Sequence, residues 1–209
     1  KFTIKDTGVK KIKFLYNSLW LDNINYINFL RTYGKNVSVN KMLSMDSVSE
    51  RLKREQPLSF LEFNYMLLQA YDFYYLKKNF DCDLQMGGSD QWGNIINGVD
   101  LIKKSINKKV YALTSPLITK SDGTKMGKTE KGAIWLDQKK LINFDYYQFW
   151  RNIDDNLLEK FLKLFTKLDL KEIQKLSKLK SQEINDAKKI LAFEVTKITR
   201  GEKCAKEAD

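Results

Sequence analysis

The succession of segments in the 209-residue chain predicts an α/β fold in which a parallel-sheet domain is followed by an all-α helical domain. Two observations carry this. A short apolar segment, Leu84–Met86, runs into Gly87-Gly88-Ser89-Asp90, then a helix-like stretch to about Lys104 and a β-rich piece at Val110–Thr114. Strand, glycine turn, helix, strand is the pattern of a parallel sheet with its site at the strand ends. From Asn143 onward the pattern changes: Phe144–Asn152, Asp154–Thr166, Leu170–Leu179 and Gln182–Lys206 all carry helical periodicity with charged faces and no strand candidate. The domain boundary is expected near 136–143, dividing the chain into residues 1–139 and 140–209.

The elements follow in order. The chain opens on Lys1, not Met, so sequence is expected to be missing upstream, and Lys1–Lys13 has neither the apolar core nor the cleavage site of a signal peptide. Residues 10–56 read as helices joined by short turns. Leu19, Trp20, Ile24, Ile27 and Leu30 recur at helical spacing, with Gly34 placed to end that helix. After Pro57, Ser59 and Glu62 form the S-x-x-E capping box, so a helix should begin at about Phe60 and run to Lys78.

Composition narrows the chemistry. Histidine is absent, which removes histidine-based triads, histidine general bases and zinc–histidine sites. Cys82 and Cys204 lie far apart with no CxxC spacing, so no structural metal is expected and a reducing compartment fits. No apolar run approaches the roughly 18 residues that span a bilayer. The net charge of +11 favours an anionic partner, nucleic acid being the usual one. Arginine occurs only at positions 31, 51, 54, 151 and 200, so the charge is lysine. Heavy use of Lys, Asn and Ile is also what an AT-rich genome encodes, and the charge is permissive evidence only.

Three constellations remain. In the helix from Phe60, an almost wholly apolar segment, Tyr65, Gln69 and Asp72 fall at i, i+4 and i+7 on one face. A buried amide or carboxylate costs several kcal/mol unless something satisfies it, so this row is either the wet side of the helix or a polar pocket. Next, the paired Gly87-Gly88 let the backbone approach a ligand, or simply make a left-handed turn. Ser89 or Asp90 could cap the following helix, and Asp90 is placed to accept from a ribose hydroxyl. Third, Thr119–Thr129 sets Lys125 and Lys128 three apart in a stretch with Gly123, Gly127 and Gly132. It reads as a mobile cationic loop suited to phosphate oxygens, or as a plain lysine-rich surface loop.

Taken in order, Tyr65-x-x-x-Gln69-x-x-Asp72, Gly87-Gly88-Ser89-Asp90-Gln91-Trp92-Gly93-Asn94 and Lys125-Met126-Gly127-Lys128-Thr129 resemble the bacterial tyrosyl-tRNA synthetases. The last is a variant of the KMSKS signature of class I synthetases, with Gly and Thr in place of the two serines. Leu68–Phe73, Trp135–Asp137 and Tyr147–Trp150 look like the same family, and the likeness runs from about Trp20 to the end. The resemblance implies that Asp72 accepts from the phenol of substrate tyrosine. It gives Tyr65 and Gln69 the ammonium group, sets Gln91 near the reacting carboxylate, and makes Gln85 a support. Gly87, Gly88, Asp90 and Met126 would contact ATP, while Lys125, Lys128 and Thr129 act on the leaving pyrophosphate.

The same resemblance implies ATP with Mg2+ as substrate, tRNA(Tyr) and L-tyrosine as partners, a homodimer, no membrane, and a cytoplasmic location, whether bacterial cytosol or organelle matrix. Residues up to about 56 would be the connective insertion at the dimer interface, about 119–132 the KMSKS-like loop, and 140–209 the anticodon-side helical domain. A chain without histidine lacks the HIGH-type motif of the class. It is therefore expected to be the second half of a Rossmann-like catalytic domain plus the helical domain, a fragment of the enzyme without the family's S4-like domain. A non-catalytic RNA binder descended from a synthetase is the rival, and it has no use for Gln69, Asp72, Lys125 and Lys128. A generic basic helical RNA binder explains the charge alone.

Overall fold

The computed structural model describes residues 12–126, 128–129 and 132–209; of Asp46, Ser47, Lys128, Thr129 and Gly132 it gives the backbone alone. The opening stretch read for a leader thus lies almost wholly outside the described residues, as do Gly127 and the side chains of Lys128 and Thr129. The described chain forms two compact units, one ending at Leu117 and one running from Ile118 to Asp209. This division falls upstream of the boundary expected at 139/140. The reason is apolar: Ile118, Met126 and Ile134 pack against the core of the helical unit.

The first unit begins with helices α1 (Ser18–Leu21), α2 (Tyr26–Thr32), α3 (Val39–Leu43) and α4 (Asp46–Lys53). The single helix expected across Trp20–Leu30 is two, because the Asn25 side chain accepts from the Asn28 amide and starts α2 afresh. That helix ends at Thr32, and Gly34 instead opens a short 3-10 turn. Trp20, Phe29 and Met42 are buried inside the unit, whereas Ile27 and Leu43 stay exposed.

Helix α5 (Phe60–Phe80) starts on the expected capping box, with Ser59 Oγ accepting from the Glu62 amide at 3.2 Å and Glu62 Oε2 accepting from the Ser59 amide at 2.9 Å. Arg51 Nη1 donates to the same carboxylate at 2.8 Å. The Arg51 bond, then those from Ser59, hold the Glu62 carboxyl down to about 2. Because its folded-state value is depressed, this stabilisation is complete above the ordinary value of about 4.5 and is lost as pH falls toward 2. Thermal melts between pH 5 and 2 should therefore show a pH-dependent loss that Glu62→Gln removes; an unchanged slope would mean the box contributes nothing.

Although its residues are almost wholly apolar, α5 is buried only along its middle, and Tyr65 and the last turn stay exposed. Phe60 and Leu61 stay about 70% exposed, whereas Met66, Leu67, Ala70, Tyr71, Phe73 and Tyr74 are buried. Strand β1 (Leu84–Gly88), helix α6 (Trp92–Ile106) and strand β2 (Tyr111–Ser115) follow, and β1 pairs parallel with β2 in the register Leu84↔Tyr111 to Gly88↔Ser115. Helix α6 packs its buried Leu101 and Ile102 into a core shared with Phe73 and sets its buried Ile95 against Gly87 of β1; each such buried apolar side chain contributes about 1.5–3 kcal/mol. Leu84, Met86, Tyr111 and Leu113 alternate onto the other sheet face, which is exposed.

The second unit carries the short antiparallel pair β3 (Lys128–Thr129) and β4 (Gly132–Ala133), then helices α7 (Asn143–Arg151), α8 (Leu158–Phe165), α9 (Leu170–Leu176), α10 (Glu183–Arg200) and α11 (Glu202–Ala208). Tyr146, Tyr147, Trp150, Phe161, Leu162 and Leu191 form its core. The long helix expected over Gln182–Lys206 breaks at Gly201, whose φ of +94° ends α10 and redirects the chain into α11.

Candidate functional site

The polar row on α5 is neither uniformly wet nor uniformly buried. Tyr65 is 56% exposed, while Gln69 and Asp72 are half-buried. The Asp72 carboxylate accepts from the Trp20 indole N–H at 2.7 Å and from Asn17 Nδ2 at 3.2 Å. Burial raises the Asp72 carboxyl above the ordinary carboxylate range, and the bonds from Trp20 and Asn17 pull it back. Trp20 is itself held by stacking on Tyr75, with ring centroids 4.4 Å apart. This acceptor is thus half-buried and fixed in place by donors from the N-cap and the body of α1.

Two amides give the clearest sign of a missing partner. Gln69 Oε1 on α5 and Gln85 Oε1 on β1 are both buried with no hydrogen-bond donor among the described residues. Each orphaned acceptor costs about 1–3 kcal/mol, which a donor on a ligand would recover. At the end of β1, Ser89–Gln91 forms a 3-10 turn, and Asn94 Nδ2 donates to Gln91 Oε1 at 3.3 Å, orienting that amide. The helix cap expected at Ser89 or Asp90 does not form; Gln91 occupies the N-cap position of α6 and makes no capping bond.

Neither Gly87 nor Gly88 is left-handed, which rules out the simple turn reading. The strand continues through both. A Cβ on Gly88 would lie 2.7 Å from Asp90 Oδ1 and 2.8 Å from Leu117 Cδ2, so the absent side chain makes room for the Asp90 carboxylate. Asp90 also borders a cavity of about 590 Å³ with Lys41, Arg51 and Trp92. Tyr65 lines a separate one of about 340 Å³ with Met66 and Asn94, and Gln69 and Asp72 line neither.

In the other unit, the first half of the lysine loop is a hairpin. The Met126 amide donates to Ile118 O at 2.9 Å, Lys120 to Thr124 O at 2.8 Å, and Thr119 faces Lys125 across an antiparallel bridge. Gly123, with φ of +80°, turns the tip, where Asp122 Oδ1 accepts from the Thr124 amide at 2.8 Å and from its hydroxyl at 2.6 Å. Those bonds lower the Asp122 carboxyl. Lys125 is exposed and Met126 half-buried. The open, mobile loop read from the glycines is therefore, over Ile118–Met126, hydrogen-bonded structure.

Sequence reasoning missed three side chains that position others. Asn17 and Trp20 lie 55 and 52 residues from Asp72, with no spacing that could link them. Asn94 sits inside the quoted glycine motif, three residues after Gln91 on the same helical turn, and that spacing could have suggested the pairing.

This architecture, a parallel strand pair around a glycine-rich turn joined in one chain to a lysine hairpin and a helical unit, matches the family described as tRNA synthetases class I (W and Y) over residues 5–209. The chain belongs to that family. Its relatives include the tyrosine–tRNA ligase of Rickettsia felis, 53% identical over 208 residues that make up 100% of this chain and 51% of that one. The tyrosine–tRNA ligase of Rickettsia prowazekii is 56% identical over 204 residues, 98% of this chain and 49% of its own. The chain spans about half the length of the curated relatives it matches. Among solved structures, a C-terminally truncated Aspergillus nidulans mitochondrial tyrosyl-tRNA synthetase superposes with a TM-score of 0.75 at 29% identity, over 98% of this chain and 60% of that one. A Campylobacter jejuni tryptophanyl-tRNA synthetase, at TM-score 0.51 and 15% identity over 87% of this chain and 61% of its own, shares the fold.

Proposed function

We propose that this chain carries the amino-acid helix and the lysine loop of a tyrosine–tRNA ligase, which activates L-tyrosine with ATP and transfers it to tRNA(Tyr). The observation that carries this reading is the α5 row: a half-buried, donor-fixed carboxylate at Asp72 on the same face as a buried amide oxygen at Gln69 that has no donor among the described residues. Asp72 takes the phenol hydroxyl, and Gln69 with Tyr65 takes the ammonium group. Gln91 orients the carboxylate and Gln85 supports that shell. Gly87, Gly88, Asp90 and Met126 hold the nucleotide, with Asp90 on a ribose hydroxyl.

The tyrosine carboxylate attacks the α-phosphate and pyrophosphate leaves, with Lys125, Lys128 and Thr129 stabilising the charge that develops. No covalent enzyme intermediate and no general base is required; positioning and electrostatics supply the rate. Mg2+ would enter on the ATP phosphates, and among the described residues no group of three or more His, Cys, Asp or Glu side chains gathers to hold a metal ion. We also propose a homodimer built partly on residues up to about 56, an anticodon-side role for 140–209, and a cytoplasmic site of action. No helix among the described residues is long and apolar enough to cross a membrane.

ATP–pyrophosphate exchange by the protein at its full natural length, with tyrosine, phenylalanine and tryptophan offered separately, tests the reading. Exchange driven by tyrosine alone is expected. Exchange driven by tryptophan would reassign the substrate, and RNA binding without exchange would favour the non-catalytic rival.

A further inference from the structure

The register of the lysine hairpin decides where Lys125 points. Met126 bonds back to Ile118 and Lys120 to Thr124, so Ile118, Lys120, Thr124 and Met126 share one face of the ribbon while Thr119 and Lys125 share the other. Ile118 and Met126 pack on the helical core, and Lys120 and Met126 roof a cavity of about 280 Å³ floored by Phe149, Leu157 and Phe161. The anchored face is therefore the face opposite Lys125. Whatever holds the ribbon down also aims that lysine.

The ribbon is held at both ends. At its base the contact is apolar, through Ile118 and Met126. At its tip Ser121 Oγ donates to Asp154 Oδ2 and lies 3.1 Å from the Asn156 side-chain amide, both in the corner between α7 and α8. Beside the corner, Arg151, Lys188 and Asp155 line an open polar cleft of about 690 Å³, and Lys188 pairs with Asp155. Asp154 thus turns toward the hairpin, while its neighbour Asp155 is engaged by α10. Two anchors fix a ribbon against pivoting; one does not.

We propose that Ser121 and Asp154 are positioning residues for Lys125: the hydroxyl–carboxylate latch ties the tip of the lysine hairpin to the helical unit and so sets where the ammonium meets the pyrophosphate. This rests on the tyrosine–tRNA ligase reading. Without the latch the tip swings on its apolar base, and Lys125, joined to that base through Met126 and to the ribbon by its bridge to Thr119, shifts with it at the moment its charge is needed. A displacement of about 1 Å can cost around a hundredfold in rate, while a surface latch restrains only part of the motion. The expected loss is accordingly about tenfold in the activation rate, with the KM for tyrosine unchanged because the tyrosine residues lie in the other unit.

The test is tyrosyl-adenylate formation by the full-length protein carrying Ser121→Ala, Ser121→Thr, Asp154→Ala, or Ser121→Ala with Asp154→Ala. The alanine variants should lower kcat about tenfold at constant KM and unchanged melting temperature. Ser121→Thr, which keeps the hydroxyl, should restore it, and the double variant should be no worse than the worse single one, as for two halves of one contact. A full kcat in Ser121→Ala, a loss in KM instead, or additive losses in the double variant would overturn the latch. An unmutated protein that forms no adenylate would sink the tyrosine reading and the latch with it, so the two failures are distinct.

Discussion

Replacing Asp72 by alanine in the full-length protein is expected to lower kcat/KM for tyrosine by one to two powers of ten and to leave phenylalanine nearly unaffected. The substrate hydroxyl would lose a charged acceptor, a bond worth about 1.5–3 kcal/mol. Tyrosine would also meet the Trp20 indole and the Asn17 amide, donors left without the carboxylate they now serve at 2.7 and 3.2 Å. Discrimination between the two amino acids should collapse, because phenylalanine never used the acceptor. Trp20→Phe is the companion variant. It removes one donor and leaves burial in place, so the Asp72 carboxyl should rise further and tyrosine binding should weaken first at the acid end of the pH range. Pyrophosphate exchange with both amino acids across pH reads out both effects. Unchanged discrimination in Asp72→Ala would remove this carboxylate from the pocket.

The second large effect is expected at Lys125. Lys125→Ala should reduce the activation rate by about 10²–10³, as removal of a donor aimed at developing charge does elsewhere, with little change in the tyrosine dissociation constant. Lys128→Ala should act in the same direction. Single-turnover adenylate formation over a range of tyrosine concentrations separates rate from binding. If both variants fail only in tyrosine binding, the loop has been given the wrong task.

Local order proved legible in the sequence, and distant order did not. The start of α5 could be read because Ser59 and Glu62 satisfy one another within a single turn. The parallel pairing of β1 with β2 followed from one short crossover helix. The site's candidate residues were also readable as types: polar groups on an apolar helix, glycines after a strand, lysines in a loop. Their surroundings were not. Trp20 has the periodicity of an ordinary core residue, and only the fold brings its indole N–H to Asp72. The hairpin at Ile118–Met126 was hidden because its packing partners lie in α7 and α8, and the glycines nearby suggested freedom instead. Of the two readings of Gly88, the left-handed turn fails because its φ is ordinary, and it is the Asp90 carboxylate and Leu117 that leave no room for a Cβ.

The donors around Asp72 come from the protein itself, so the acceptor is partly desolvated and oriented before any ligand arrives. Selection is then paid for in folding free energy, not on binding: the chain carries a half-buried charge that an apolar residue would spare it. Asp72→Leu should accordingly give a chain unable to tell a phenol from a benzene ring, with the buried Trp20 indole N–H left without its acceptor. The same rigidity spares the ligand the reorganisation that a collapsing pocket would exact. If the proposed role of Asp72 holds, fidelity is set in the empty protein.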